Sequence, residues 1–309
     1  MVVGQIIQAQ PSGDDSKELL NIRVKAEKGD AKAQNALGLV ALSKVKFGME
    51  KKDKKALRLE AVTWFRKAAE QNYAPAQKSL GYSDVDDQGE LKPAVERVKW
   101  FRKAAEQNYA PAQWTLGICY SDGAGVPKDK AEALKWYRQA ADQNYAPAQD
   151  SLGFSCLTGE GVKKDAAEAV KWFRKAAEQN DAEGQYNLGT CYEHGRGVKK
   201  NASEAVTWYC KAAEQNFASA QCNLGFCYGH GQGVAKDMAE AFKWTMIAAD
   251  QGDLRAKRNW GAMSNEWGAI LSQKNSIEGR RRANEWLEQR KTNSAGSNSL
   301  GINDGEKRQ

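Results

Sequence analysis

No stretch of this 309-residue chain approaches the ~20 consecutive apolar residues that a membrane-spanning helix needs, so no membrane span is expected. The start, MVVGQIIQAQPSG, lacks a basic leading region, and its apolar stretch is too short for a secretory signal. A cytoplasmic location is expected, with a periplasmic or secreted one left open if a longer leader precedes this start. Cysteine lacks the arrangement of a disulfide scaffold, because no regular pair recurs along the chain. Cys119, Cys191 and Cys227 share one place, two residues after a Leu-Gly pair, where each serves as a small packed residue; Cys156, Cys210 and Cys222 occur once each at their places. A reducing compartment fits that usage. The excess of one charge sign is also small, at +7. Lys and Arg occupy outer helix faces and bunch near residues 51–58 and 279–291 without interleaved aromatic residues, so a nucleic-acid partner is not favoured.

Constellations that would mark an enzyme or a metal site are incomplete. Ser43-x-x-Lys46 has the spacing of the nucleophile motif of penicillin-recognising enzymes, but S-D-N and K-T-G partners are missing. Four G-x-G turns are not phosphate loops, since no Lys-Ser/Thr follows them. Asp84-x-Asp86-x-Gln88-Gly89 begins like a calcium loop, yet Val95 stands where the bidentate Glu belongs. Cys191-x-x-His194 and Cys227-x-x-His230 look like two halves of a zinc site. They occupy equivalent places in adjacent repeats about 10 Å apart, too far to close ligands at about 2.0–2.3 Å. No catalytic residue, cofactor or metal is expected.

The chain carries a repeat instead. Trp64, Trp100, Trp136, Trp172, Trp208 and Trp244 are spaced 36 residues apart, and an Ala-Ala pair follows four residues after each. A fixed period in this range signals a stacked array of helix pairs. In the copy DAAEAVKWFRKAAEQN, residues 165–180, Asp165 and Glu168 form a capping box. Ala169, Trp172, Phe173, Ala176 and Ala177 share one face and Lys171, Arg174, Lys175 and Glu178 the other. Asn180 stands where a left-handed stop is wanted, as do Asn72, Asn108, Asn144 and Asn216, with Gly29 and Gly252 at the ends. A second, inner helix follows, carrying Leu-Gly at 37–38, 80–81, 116–117, 152–153, 188–189 and 224–225. A glycine returning at one helical place predicts that a neighbouring helix packs closely there. Two units depart from the pattern: seven extra residues lie between Gly38 and Trp64, and 81–99 loses the first turn glycine and the Asp cap. The expected organisation is a flexible lead over 1–13, the array over 14–271 with a capping helix from about Asp14, a C-terminal capping helix over 272–290, and a disordered tail over 291–309.

The motif A-x-A-Q-x-x-L-G-x-x-Y, followed by G-x-G-V-x-K-D-x-x-E-A-x-x-W-[FY]-x-K-A-A-x-Q, resembles the Sel-one-like repeat family, a relative of the tetratricopeptide repeat, over residues 26–260. The resemblance implies an all-α, α/α solenoid of about six helix pairs with a right-handed superhelical twist. It also implies an adaptor or scaffold binding a partner protein or peptide, and leaves self-association through an end of the array open. Some cysteine-rich secreted members are linked with weak β-lactam binding or hydrolysis, which makes a penicillin-binding protein the alternative. This chain lacks their paired cysteines.

Comparing the repeats with each other locates the divergent face. Three residues before the glycine stand Lys78, Trp114, Asp150, Tyr186, Cys222 and Arg258, one after it Tyr82, Ile118, Phe154, Thr190 and Phe226, and four after it, in one repeat, Glu193. These places share one helical face, and in related repeat families the matching places line the concave surface. The partner-binding residues expected are Lys78, Tyr82, Trp114, Ile118, Asp150, Phe154, Tyr186, Glu193, Phe226 and Arg258, with the aromatic ones as anchors. The competing reading makes the same rings inter-repeat core.

Overall fold

The computed structural model describes residues 15–46, 48–251 and 273–297. Among them are fourteen helices: α1 (Asp15–Glu27), α2 (Ala31–Ser43), α3 (Lys51–Glu70), α4 (Ala74–Ser83), α5 (Ala94–Glu106), α6 (Ala110–Asp122), α7 (Lys130–Asp142), α8 (Ala146–Thr158), α9 (Ala166–Glu178), α10 (Ala182–His194), α11 (Ala202–Glu214), α12 (Ala218–His230), α13 (Met238–Asp250) and α14 (Gln273–Ser297). The chain forms two compact units. One holds α1–α7, the start of α8 and residues 160–163; the other takes over at Gln149 within α8 and holds α9–α14. In each unit successive helices pack on one another in chain order, α1 on α2 through α6 on α7, and α9 on α10 through α13 on α14. The architecture is an all-α, α/α solenoid, with even-numbered inner helices alternating with odd-numbered outer ones up to α13. The expected lead over 1–13 and the residues after 297 lie outside the described residues.

The outer helices begin and end as their sequences dictate, with one exception. Asp165 accepts from the Glu168 amide at 2.9 Å, and Asp129 and Asn201 cap α7 and α11 in the same way. The reciprocal half of the capping box is not made. The amide of the cap residue, which the glutamate would have accepted from, already donates to the preceding inner helix: Asp165 to the Cys156 carbonyl at 2.8 Å, Asn201 to Tyr192 at 2.9 Å. Glu168 and Glu132 therefore turn to Lys171 and Lys135 on their own helices. At the other end Asn72, Asn108, Asn144, Asn180 and Asn216 all adopt the left-handed conformation, with φ between 61° and 71°.

The recurring inner glycine is explained by a ring. A side chain at Gly81, Gly117, Gly153 or Gly189 would overlap the aromatic ring that follows the recurring tryptophan on the next outer helix, Phe101, Tyr137, Phe173 or Tyr209. These rings are buried, 0–7% exposed, and form the core between paired helices. The two irregular units adapt locally. The seven extra residues lengthen α3 to 20 residues against 13 for the other outer helices up to α13. Where the first turn glycine is missing, α4 stops after 10 residues and a small turn closes with a Val85–Leu91 bridge around Gly89. At the far end α14 packs on α13: Trp286 meets Trp244 edge-on at 5.6 Å, Ala283 is fully buried, and Arg282 pairs with Asp237 and Glu240. It runs to Ser297, past the end expected at residue 290.

The G-x-G turns give a paired test. Gly195 and Gly197 both have φ near +70°, but a side chain at Gly195 would meet the flexible Lys200 at 3.3 Å, whereas one at Gly197 would run into the Ala166 carbonyl at the start of α9. Gly195→Ala is expected to cost about 1 kcal/mol for the left-handed backbone alone. Gly197→Ala is expected to cost about 3 kcal/mol, because the turn must also move off α9. Urea unfolding followed by circular dichroism would separate the two variants.

Candidate interaction surface

The place three residues before the inner glycine is largely occupied by packing. Asp150 is buried, 6% exposed, so it does not reach the surface on which it was expected. Its carboxylate accepts from Asn187 Nδ2 at 2.8 Å, a bond from one inner helix to the next. Burial pushes the Asp150 carboxyl up to about 7, with Glu183 and Asp181 adding to the rise and the Asn187 bond opposing it. Tyr186 packs between Tyr209 and Phe217, with ring centroids at 5.8 and 5.3 Å, and Trp114 lies edge-on to Tyr145 at 5.9 Å. Both are half-buried, and Cys222 is buried. Lys78 is half-buried over the Tyr82 ring, and burial lowers its ammonium below the ordinary lysine range. Arg258 lies outside the described residues.

The place one residue after the glycine is open. Tyr82 is 51% exposed, Phe154 49% and Phe226 39%, values that set them apart from the buried rings of the paired helices. In the first unit Tyr82 and Ile118 line an apolar cleft of about 280 Å³ between α4, α5 and α6, completed by Ala94, Arg97, Val98, Phe101, Thr115, Cys119 and Ala124. The Tyr82 hydroxyl bonds with Thr115 Oγ1 at 2.9 Å, which fixes the ring at the cleft edge. In the second unit the Phe226 ring is covered on one side by His230, 4.0 Å away. Glu193, half-buried, accepts from the buried Tyr209 hydroxyl, whose proton is held more tightly because of burial and that carboxylate. Arg97, Val98, Phe101 and Thr115 were not among the residues the repeat comparison singled out. Arg97 had a readable signal, since it stands where the other copies have Ala61, Ala133, Ala169, Ala205 and Ala241.

The remaining polar motifs are committed elsewhere. Asp84 is buried and pairs with Arg66 and Lys92, while Asp86 accepts from the amides of Gln88 and Glu90 in its own turn. Cys191 and Cys227 are buried, with thiols pushed up by burial to about 11 and about 12. The Ser43 hydroxyl donates to the Val40 carbonyl at the exposed end of α2. Outer-face lysines cover indoles: Lys67, Lys103, Lys175 and Lys211 lie 4.1–4.7 Å from the rings of Trp64, Trp100, Trp172 and Trp208. No helix among the described residues is long and apolar enough to cross a membrane.

These features define a helical repeat protein whose variable positions lie on its inner helices. The Sel1 repeat model matches residues 31–73, 98–109, 110–145, 146–181, 182–217 and 218–253, and the chain belongs to the Sel1 repeat family. A Sel1 repeat protein from Oxalobacter formigenes is 34% identical, with a TM-score of 0.64, over 82% of this chain and 96% of that one. A protective antigen of uropathogenic Escherichia coli with the same repeat fold is 32% identical, with a TM-score of 0.65, over 88% of this chain. The chain spans 56% of the length of that antigen. No curated protein matches it. Sel1-repeat proteins generally serve as protein-interaction scaffolds and are typically not enzymes.

Asp150 predicts a pH dependence of stability. Below about pH 4 its carboxyl is protonated in both states and its contribution is fully present. As pH rises the unfolded chain, with the ordinary value of 3.8, loses its proton first, so stability falls until the folded-state value of about 7 is passed. Asp150→Asn keeps an acceptor for Asn187 and is expected to remove this slope, gaining on the wild type by on the order of 2–4 kcal/mol between pH 4 and pH 8. Parallel urea-unfolding profiles for the two proteins would contradict it.

Proposed function

We propose that this chain is a non-enzymatic interaction module that takes segments of a partner protein on its inner-helix side, whose matching places line the concave surface in related repeat families. The observation that carries this reading is the exposure of the rings one residue after the inner glycine, Tyr82 in the first unit and Phe154 and Phe226 in the second, with Leu39 at the same place also exposed. Aromatic side chains left in water on a scaffold built from alanine, leucine and glycine are the residue type that dominates interface energies. The half-buried Ile118 lines the same cleft as Tyr82, Lys78 adds charge over the Tyr82 ring, and the half-buried Trp114, Tyr186 and Glu193 belong to the same divergent inner-helix places. Buried thiols at the packing places, with no disulfide formed among the described residues, support work in a reducing compartment.

The test compares the wild type with a Tyr82→Ala/Phe154→Ala/Phe226→Ala variant in pull-downs from native extract, quantified by mass spectrometry. Truncating half-exposed rings is expected to cost about 1 kcal/mol each in stability, leaving helicity unchanged. Partner retention is expected to fall at least about tenfold, as for the loss of interface anchors. Full retention by that variant, with loss in a folded Trp114→Ala/Tyr186→Ala variant, would move the binding face to the other column.

A further inference from the structure

The cleft of the first unit differs from the rest of the array by one residue. At the place three before the recurring tryptophan, Ala61, Ala133, Ala169, Ala205 and Ala241 are all buried, and α5 alone carries an arginine there, Arg97. Its half-buried side chain forms part of the cleft wall. Nε donates to the Lys92 carbonyl at 3.0 Å and Nη1 to the Gly81 carbonyl at 3.1 Å. Both bonds follow from the short α4: the helix stops after Ser83, and the guanidinium supplies the donor that a further turn would have given Gly81. The guanidinium has five N–H donors. Nη2 has no partner among the described residues, and no carboxylate among them pairs with Arg97. A cation with spare donors thus sits among Tyr82, Val98, Phe101 and Ile118, in a cleft whose lining is mostly apolar.

Such a cation selects its occupant. The cleft measures about 280 Å³, roughly twice the ~150 Å³ of an apolar cavity that takes a benzene. That holds one branched or aromatic side chain and a small polar group, not a folded element. A doubly charged phosphate would leave charge uncompensated against one guanidinium and apolar walls; a carboxylate matches the charge and the planar donors. We propose that the cleft between α4, α5 and α6 takes a partner-protein segment in which an apolar side chain stands beside a glutamate or aspartate. The apolar side chain enters between Tyr82, Phe101 and Ile118, and the carboxylate accepts from Arg97. This rests on the interaction-module reading and names the partner chemistry of one part of that surface.

Two pools of N-acetylated, C-amidated heptapeptides test it on the immobilised full-length chain. One carries Glu beside a central Leu, Phe or Trp, and the other carries Gln in place of the Glu. The Glu pool is expected to be retained at least tenfold better. Arg97→Ala, which installs the residue that the other repeats use, is expected to bring the two pools within twofold of each other. Tyr82→Ala and Ile118→Ala are expected to weaken retention of both. Each variant's melting temperature is checked, and should Arg97→Ala melt early, Arg97→Lys replaces it, with a drop of at least threefold in the Glu preference. Equal retention of the pools, or a Glu preference that survives in a folded Arg97 variant, overturns the assignment. Equal retention that still depends on Tyr82 and Ile118 would leave the interaction module standing. Retention of neither pool, together with an unaltered partner set in the Tyr82/Phe154/Phe226 variant, would remove both.

Discussion

Within each compact unit a buried glutamine holds the junction between helix pairs. Gln34, Gln77, Gln113, Gln149, Gln185 and Gln221, all 0–5% exposed, open the inner helices. In the second unit Gln185 Nε2 donates to the Ala177 carbonyl of the outer helix before it and to Asn180 Oδ1. Its Oε1 accepts from Gln215 at the end of the outer helix after it. Gln77 does the same between Ala69, Asn72 and Gln107, and Gln221 between Ala213, Asn216 and Gln251. One amide thus ties three helix ends together, and losing it would leave several buried polar groups unpaired at about 1–3 kcal/mol each. The left-handed asparagine belongs to the same device, because that backbone turn brings its side-chain oxygen within reach of the glutamine.

With the amide setting how outer helices follow one another, an aromatic ring sets how the two helices of a pair approach. The ring after the recurring tryptophan lies on the inner glycine, with Thr245 in its place on Gly225, and nothing larger than hydrogen fits between them. These two contacts use one face of the inner helix and its first turn. The place one residue after the glycine takes part in neither contact, and that is where Tyr82, Phe154 and Phe226 stand half exposed. The place three residues before it does have a duty. Asp150 bonds to Asn187, and at the start of the array Asn35 accepts from Ser79 in the same relation between inner helices.

This explains what could be read from the sequence. The period, the left-handed asparagines, the Asp and Asn caps and the close-packed glycine each depend on residue types that tolerate few substitutes, so their recurrence carried the fold directly. The glutamate half of the capping box failed because its target amide is taken by a carbonyl of the preceding inner helix, a contact no local motif reveals. Which of two divergent columns is open could not be read either: Tyr186 and Phe226 are both aromatic, and only the packing of Tyr186 between Tyr209 and Phe217 separates them. The boundary between the compact units inside α8 has no counterpart in the Leu-Gly column, which continues through it unchanged.

Function in a repeat array tends to concentrate where the repetition breaks, and here one break has a traceable cause. Losing the first turn glycine after α4 ends that helix early and redirects the chain through Asp84–Leu91. The shortened helix exposes the Gly81 carbonyl, and an alanine place becomes Arg97 to satisfy it. The ring of Phe101 still covers Gly81, as Tyr137, Phe173 and Tyr209 cover Gly117, Gly153 and Gly189, so the substitution leaves the pair packed while adding a cation and an opening beside it. A repair of helix geometry and a potential recognition feature are therefore the same residue. Restoring alanine at 97 separates the two roles, since the other repeats show that the fold accommodates alanine at that place.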